Sequence, residues 1–409
     1  MPVNAAEWSI GMLKDRNQQE IQQKLQAEMV KNNLDALVLS SPEAIFYATG
    51  YASSFLYTSW NIGTTLAIVL ADGPCEVVMV EFERPTFLRE TNHQMKCNTY
   101  PNYIFIDDDE ADQGEKSAQP DLNTSLRIAA EIIHAKKSNP RVGMELDTLP
   151  HSRFEYAFQV FGKENLVNCL EVLRRVRAIK TDWEIDVLRR AAIGAERAML
   201  ECAHYIEPGW SEADIWNAFR DACYRQYPDV NNIGFVPSFG NNYAPMFIPN
   251  PDVIVKEGDI IRLDNGPVID NYNSDLCRTF VLGKARPEQE EIYRILKKGH
   301  DREMELIGPG VKMSDVFHEV MDTIYKAGMT PKYKRGHLGH SVGCNKYIEE
   351  YPIISAESND VFEVGMVLCI ETPYYSSKLG GFNLEDEIVI TENGYERWTH
   401  VNENLYWGR

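Results

Sequence analysis

IEPGWSEADIWNAFRDACY, residues 206–224, lines up without a gap on IGPGVKMSDVFHEVMDTIY, residues 307–325. Ile, Pro, Gly, Asp, Asp and Tyr recur at matching places, and Ile215/Val316, Trp216/Phe317 and Phe219/Val320 are apolar in both copies. Each copy reads as a Pro-Gly turn leading into an amphipathic helix. A second pair follows in the same order: VKEGDIIRLD, residues 255–264, matches FEVGMVLCIE, residues 362–371. In both, a turn glycine precedes a strand that ends on a carboxylate, Asp264 in one copy and Glu371 in the other. A return strand bearing a further acid comes next, with Asp275 in NYNSDLCRTFVL and Glu385 in GGFNLEDEIVIT. Two matches in one order predict two αβ units related by a pseudo-twofold, bringing four acids to a common centre.

An acid in or beside a sheet core is costly unless its charge is compensated. One reading places divalent metal ions among the four carboxylates, which would otherwise repel one another. The other pairs them with nearby arginines such as Arg262 and Arg278. Four acids on related strands favour metal, with two ions to neutralise them. The nitrogen ligand comes from KRGHLGHSVG, residues 334–343, where glycines permit close backbone approach around His340. His318 opens HEVMD, which is not the HExxH pattern, and reads as a helix-surface residue. His337 reads as a substrate or supporting contact, or as a local donor. Mostly oxygen ligands with one imidazole suit manganese, iron, cobalt or zinc better than copper.

The rest of the chain is organised differently. Residues 17–32 read as an amphipathic helix on Ile21, Leu25 and Met29, 34–41 as a strand, and 42–50 as a short helix stopped by Gly50. TTLAIVLADGPCEVVMVE reads as a hairpin, LNTSLRIAAEIIHAKKS as a helix and RVGMELD as a strand. Alternation of helix and strand gives the first 170 residues an α/β character. The acidic run 106–116 reads as a solvated loop. Around residue 180 a basic extended stretch ends, and a new helix opens with Asp182 and Glu184 in its first turn. A length of 409 residues fits two domains.

Asp and Glu outnumber Lys and Arg by 61 to 41, a formal charge of -20, which disfavours nucleic acid or an anionic membrane as partner. The N-terminal residues carry no apolar run fit for a signal peptide, and eight scattered cysteines form no CxxC. A cytoplasmic protein without structural disulfides is expected.

LDALVLSSPEAIFYATGY, LRRVRAIKTDWEIDVLRRAA, DNGPVIDNYNSDLCRTF, GHSVG, GMVLCIETPYY and NLEDEIVITENG together resemble the pita-bread superfamily of creatinase, prolidase and aminopeptidase P, in its two-domain metal-using branch. The resemblance implies an α/β N-terminal creatinase-like domain over residues 1–170. It implies an α+β pita-bread catalytic domain with pseudo-twofold symmetry over 171–409. It also implies a metallohydrolase with two divalent ions held by Asp264, Asp275, His340, Glu371 and Glu385. Asp275 and Glu385 would contact both ions, a bridging hydroxide would attack, and Glu371 would shuttle the proton.

Proline-directed relatives carry two further active-site histidines and an arginine. The corresponding positions here offer Tyr243 and Phe247 in NNYAPMFIPNP, then Tyr347, and Asn383 for the arginine. The expected catalytic residues are therefore Glu371, His337 and Tyr347. The expected substrate contacts are Tyr57, Trp60, Tyr243, Phe247 and Asn383. The expected reaction is hydrolysis of a C–N bond, amide or Xaa-Pro, in a dipeptide or other small substrate. The alternative is a metal-dependent lyase similar to the dimethylsulfoniopropionate lyase branch, acting on a sulfonium or betaine-like compound; that branch has an extra aspartate where Gly266 stands. The loop SSFLYTSWNIG, residues 53–63, exposes four large side chains unless covered, so a homodimer closing the partner's site is expected.

Overall fold

The computed structural model describes residues 16–59, 62–102, 123–227, 230, 232–234, 236–243, 248–344 and 348–406. The chain divides into two compact units, Met1–Arg177 and Ala178–Arg409. The acidic run 106–116 lies outside the described residues.

The N-terminal unit is built on a six-stranded sheet in the order Lys96–Tyr100, Glu76–Val80, Leu66–Leu70, Ala36–Leu39, Val142–Met144, Leu166–Asn168. Leu66–Leu70 and Glu76–Val80 form the expected antiparallel hairpin, while Ala36–Leu39 runs parallel to Val142–Met144. Helix Gln18–Lys31 buries Ile21, Leu25 and Met29, and the Asn17 side chain accepts the Glu20 N–H at 3.2 Å to cap it. Helix Pro42–Thr49 ends on Gly50 at φ +74°, a conformation that costs glycine nothing. Val38, Ile68, Val78, Leu126 and Ile133 belong to one buried apolar cluster in this unit.

The basic stretch before Thr181 is helical, Leu170–Ala178, where an extended segment was expected. Val172, Leu173 and Val176 are buried at helical spacing while Arg174 and Arg175 are exposed, so amphipathicity decides the conformation. The expected new helix, Asp182–Tyr205, follows. Its capping box is complete: Thr181 Oγ1 accepts the Glu184 N–H, and Glu184 Oε2 accepts the Thr181 N–H.

In the second unit the repeat is structural. Its two copies form helices Glu212–Gln226 and Met313–Lys326, packed on the long helices Asp182–Tyr205 and Pro287–Leu306 respectively. The sheet beneath runs Glu350–Ser355, His337–Ser341, Val367–Glu371, Glu385–Thr391, Cys277–Val281, Ile260–Asp264, Val236–Phe239, with Gly394–Arg397 paired to Glu385–Thr391. Every neighbour on that path is antiparallel. A pseudo-twofold between the Cys277 and Glu385 strands exchanges Ile260–Asp264 with Val367–Glu371. All eight cysteines are free, in line with the sequence reading. Among the described residues no helix is long and apolar enough to cross a membrane.

Candidate metal centre

Strand register assembles the centre. Cys277 stands directly opposite both Asp264 and Glu385, and Glu385 stands opposite Glu371. Residues directly opposed in a sheet share a face, so these four side chains make one row across four strands. Two residues along each strand a second row begins: Asp275, Glu387 and Cys369, with Cys369 opposite His340. Ligand atoms of Asp275, His340, Cys369 and Glu385 all lie within 4.8 Å of one another, and all four residues are buried.

His340 is fixed by one ring nitrogen and turns the other toward the acids. Its Nδ1 donates to the Ser341 carbonyl at 3.0 Å, leaving the Nε2 lone pair 3.5 Å from Asp275 Oδ2. Gly339 makes the close strand approach possible, because a Cβ there would stand 2.3 Å from the Cys369 carbonyl oxygen. Gly339→Ala is therefore expected to cost about 1–3 kcal/mol of stability by overpacking against backbone that cannot swing aside. It should also lower metal content, read together by urea denaturation and elemental analysis; a variant matching wild type in both would remove the steric role assigned to Gly339.

The remaining acids are held by hydrogen bonds. Asp264 Oδ2 accepts from Arg262 Nη1 at 2.8 Å and Oδ1 from the Asn265 N–H at 3.0 Å. Glu371 Oε1 accepts from Arg335 Nη2 at 3.2 Å, and His337 Nδ1 lies 3.2 Å from the same oxygen without hydrogen-bond alignment. The Asn383 amide donates at 3.0 Å to Glu371 Oε2 and also at 3.0 Å to Glu385 Oε2, bridging the two carboxylates.

Burial, compounded by neighbouring carboxylates, pushes the acids of Asp275 and Glu385 well above the ordinary range. Burial also raises Asp264, although Arg262 opposes the shift. Buried carboxylates gathered around an imidazole nitrogen directed at them fit a divalent cation, which would relieve both costs.

The centre opens on a cavity of about 700 Å³ whose wall includes Arg335, His337, Ile348, Glu349, Tyr375 and Asn383. Burial lowers His337 below its usual value, opposed by Glu371 and by Glu349, whose carboxylate is 3.7 Å from Nε2. Tyr243 lies tilted beside Tyr375, ring centroids 6.0 Å apart, rather than lining the cavity itself. Trp60, Phe247 and Tyr347 lie outside the described residues. Tyr57 belongs to the N-terminal unit, half-buried on the short helix Ser54–Ser59. Leu56 on that helix is fully buried and Phe55 half-buried, so less apolar surface is left to cover than the loop sequence suggested.

Arg335, Glu349 and Tyr375 were not singled out from sequence, because they lie on loops or a short hairpin without periodic signal. Arg262 was legible as a partner: two residues before Asp264 on a strand, it must share that acid's face.

The profile of Metallopeptidase family M24 matches residues 186–392, and that of the Creatinase/Prolidase N-terminal domain matches residues 22–179. The chain belongs to family M24. It is 29% identical to an Xaa-Pro dipeptidase of Pyrococcus furiosus, over 74% of this chain and 88% of that protein. It is 30% identical to an Xaa-Pro dipeptidase of Pyrococcus horikoshii, over 67% of this chain and 77% of that protein. The fold is shared with a solved Xaa-Pro dipeptidase from Bacillus anthracis, with TM-score 0.78 and 20% identity, covering 95% of this chain and 99% of that one. A prolidase from Thermococcus sibiricus gives TM-score 0.79 at 20% identity, covering 96% and 99%. Membership makes this protein a metallohydrolase of the creatinase and prolidase superfamily, using divalent metal, with the expected N-terminal creatinase domain ahead of the pita-bread domain.

Proposed function

We propose that this protein hydrolyses the C–N bond of an Xaa-Pro dipeptide or a similarly small N-substituted amino acid. The observation that carries the proposal is the convergence of Asp264, Asp275, His340, Glu371 and Glu385 at one cavity that also presents Arg335 and His337. The kinship to two Xaa-Pro dipeptidases supports the choice of substrate class.

A divalent ion held by Asp275, His340 and Glu385 would supply Lewis acidity and a water of lowered pKa. Glu371, facing the cavity from the next strand, takes the proton released as water adds to the carbonyl carbon. It then delivers that proton to the leaving nitrogen, so water is divided across the broken C–N bond. Arg335 spends donors on the His337 carbonyl and on Glu371, and an arginine carries five N–H groups. The others suit a substrate carboxylate. His337, whose charged form burial disfavours, offers a hydrogen bond to the reacting carbonyl.

The lyase alternative finds no support among the relatives, and packing opposes it. A Cβ at Gly266 would stand 2.4 Å from Ser274 Oγ and 2.5 Å from Ala195 Cβ, leaving no room for the aspartate of that branch.

Proline release from a panel of Xaa-Pro dipeptides by manganese-, cobalt- or zinc-loaded protein tests the proposal. Turnover of at least one member is expected, and a fully metallated protein inert to the whole panel sinks it. Within it, His337→Ala should retain metal yet lose about 10-fold or more in kcat, the scale for acid–base and supporting partners. Unchanged kinetics would reduce His337 to a structural residue.

A further inference from the structure

We propose that a second cavity, at the far end of strand Ile260–Asp264, binds a small phosphomonoester whose phosphate is held by Lys256, Arg286 and Lys378. That cavity has a volume of about 520 Å³ and, among the described residues, shares no lining residue with the metal centre. Ile260 stands in its wall and Asp264 at the metal centre, the two ends of one five-residue strand and so about 13 Å apart.

Three stretches remote in sequence build it. The turn before the strand supplies Lys256 and Asp259, and the start of helix Pro287–Leu306 supplies Arg286 and Gln289. The tip of the hairpin formed by Tyr374–Ser376 and Gly380–Phe382 supplies Lys378 and Leu379. Gln289, 1% exposed, joins all three. Its Oε1 accepts the Arg286 N–H at 2.8 Å, and its Nε2 donates at 3.2 Å to both the Gly258 and the Leu379 carbonyls. Arg286 Nη2 donates to the Lys378 carbonyl at 2.8 Å, which ties helix to hairpin with one of the five N–H groups an arginine carries. The floor is therefore fixed by bonds that leave the charges uncompensated.

Lys256, Arg286 and Lys378 are exposed, and none makes an ion pair among the described residues. Asp259 is the one acid among the described lining residues, and its Oδ2 accepts the Lys256 N–H at 2.8 Å. Three cations against one acid leave two positive charges on one small cavity, in a chain of formal charge -20. Like charges drawn together repel, and a phosphomonoester, carrying about -1.5 to -2 near neutrality, is their complement. Phe239, Val253, Ile254 and Leu379 give the remaining wall an apolar character. The volume lies in the range of small-molecule pockets, about 300–1,000 Å³, so an organic phosphate suits it better than the free ion. The same hairpin carries Tyr375, whose hydroxyl accepts from Arg262 at 2.9 Å in the wall of the metal centre. A phosphate bridging Lys378 to Lys256 and Arg286 would clamp that hairpin by its tip.

Phenyl phosphate is the probe, titrated by calorimetry into the metal-loaded full-length protein and into Asp275→Ala, which is expected to lack tight metal. One-to-one binding by both proteins is expected, with slower amide exchange in residues 374–382. Joint substitution Lys256→Gln and Lys378→Gln removes two exposed ammonium groups without partners in the fold, and should weaken binding about 10-fold or more. Arg286→Met should act in the same direction, while Lys332→Gln, an exposed lysine elsewhere, should change nothing. Inorganic phosphate should bind more weakly than phenyl phosphate; the reverse order gives the cavity to the free ion and overturns the organic ligand. Absence of saturable binding overturns the site. So does binding that Asp275→Ala abolishes and the lysine pair leaves unchanged, which places the phosphate on the metal. Equal weakening by Lys332→Gln and by the lysine pair reduces the effect to general charge screening and overturns it too.

Discussion

Asp275→Ala is expected to lose tightly bound metal and to lower kcat/KM by about a thousandfold or more. Asp275 sits in the second row of the sheet face, where its carboxylate meets His340 Nε2 at 3.5 Å and shares a 4.8 Å cluster with Glu385. Removing one electrostatic donor from a hydrolytic site already costs about 10²–10³-fold. Here the substitution would remove a proposed ligand and with it the ion's Lewis acidity. Glu385→Ala should behave alike, since Glu385 belongs to the same cluster and is tied to Glu371 through the Asn383 amide. Asp264→Ala should be milder in metal content, because Asp264 is already half-claimed by Arg262. Elemental analysis beside steady-state kinetics checks the order. An Asp275→Ala protein with wild-type metal and activity within 10-fold of wild type would dismantle the assignment.

The four expected acids were legible because each is tied to a strand of the repeat, and His340 because of its glycine-rich stretch; the structure brings all five to one cavity. The two arginines show where legibility stopped. Counting by twos along a strand puts Arg262 on the face of Asp264, but Arg278, three residues after Asp275, on the opposite face. The structure agrees: Arg262 bonds Asp264, while Arg278 turns away to Glu196 and Asp386. Weighing metal against arginines as exclusive readings missed that the two are compatible: Arg262 pairs with Asp264 while Asp275, His340 and Glu385 stay grouped. Arg335 and Glu349 were not legible, because loop positions gain their neighbours only through tertiary closure. Asn383 was expected to touch substrate; it lines the cavity, and its amide nitrogen also bridges two carboxylates, a bridge that no spacing rule encodes. The helix Leu170–Ala178 was read as extended because its arginine content masked a short apolar stripe.

On the far face of the same sheet, Asp386→Ala is expected to destabilise the protein by about 3–5 kcal/mol, the cost of stranding buried charge. Asp386 is fully buried. Its Oδ1 accepts from Arg278 Nη2 at 3.1 Å and Thr399 Oγ1 at 3.0 Å, and its Oδ2 accepts from Arg397 and from the Val401 N–H at 3.1 Å. Without it the fully buried Arg278 guanidinium keeps Glu196 and two backbone carbonyls but loses its innermost counter-charge. One of those carbonyls is that of Glu385, at 2.7 Å, so the damage should reach the metal strand as a loss of affinity. Burial alone would raise the Asp386 acid, but Arg278, His300 and Arg397 outweigh it and hold the carboxyl below its ordinary value of 3.8. A depressed folded-state value means the stabilisation is complete above the ordinary carboxylate range and disappears as pH falls through the lower folded value. Wild type and Asp386→Ala should therefore differ most in denaturant midpoint near neutrality and converge in strong acid. Asp386→Asn, which keeps the shape and one acceptor, should fall between them. A loss under about 1 kcal/mol in Asp386→Ala at neutral pH would mean that water or Glu196 replaces the carboxylate, and that the network does not hold the sheet.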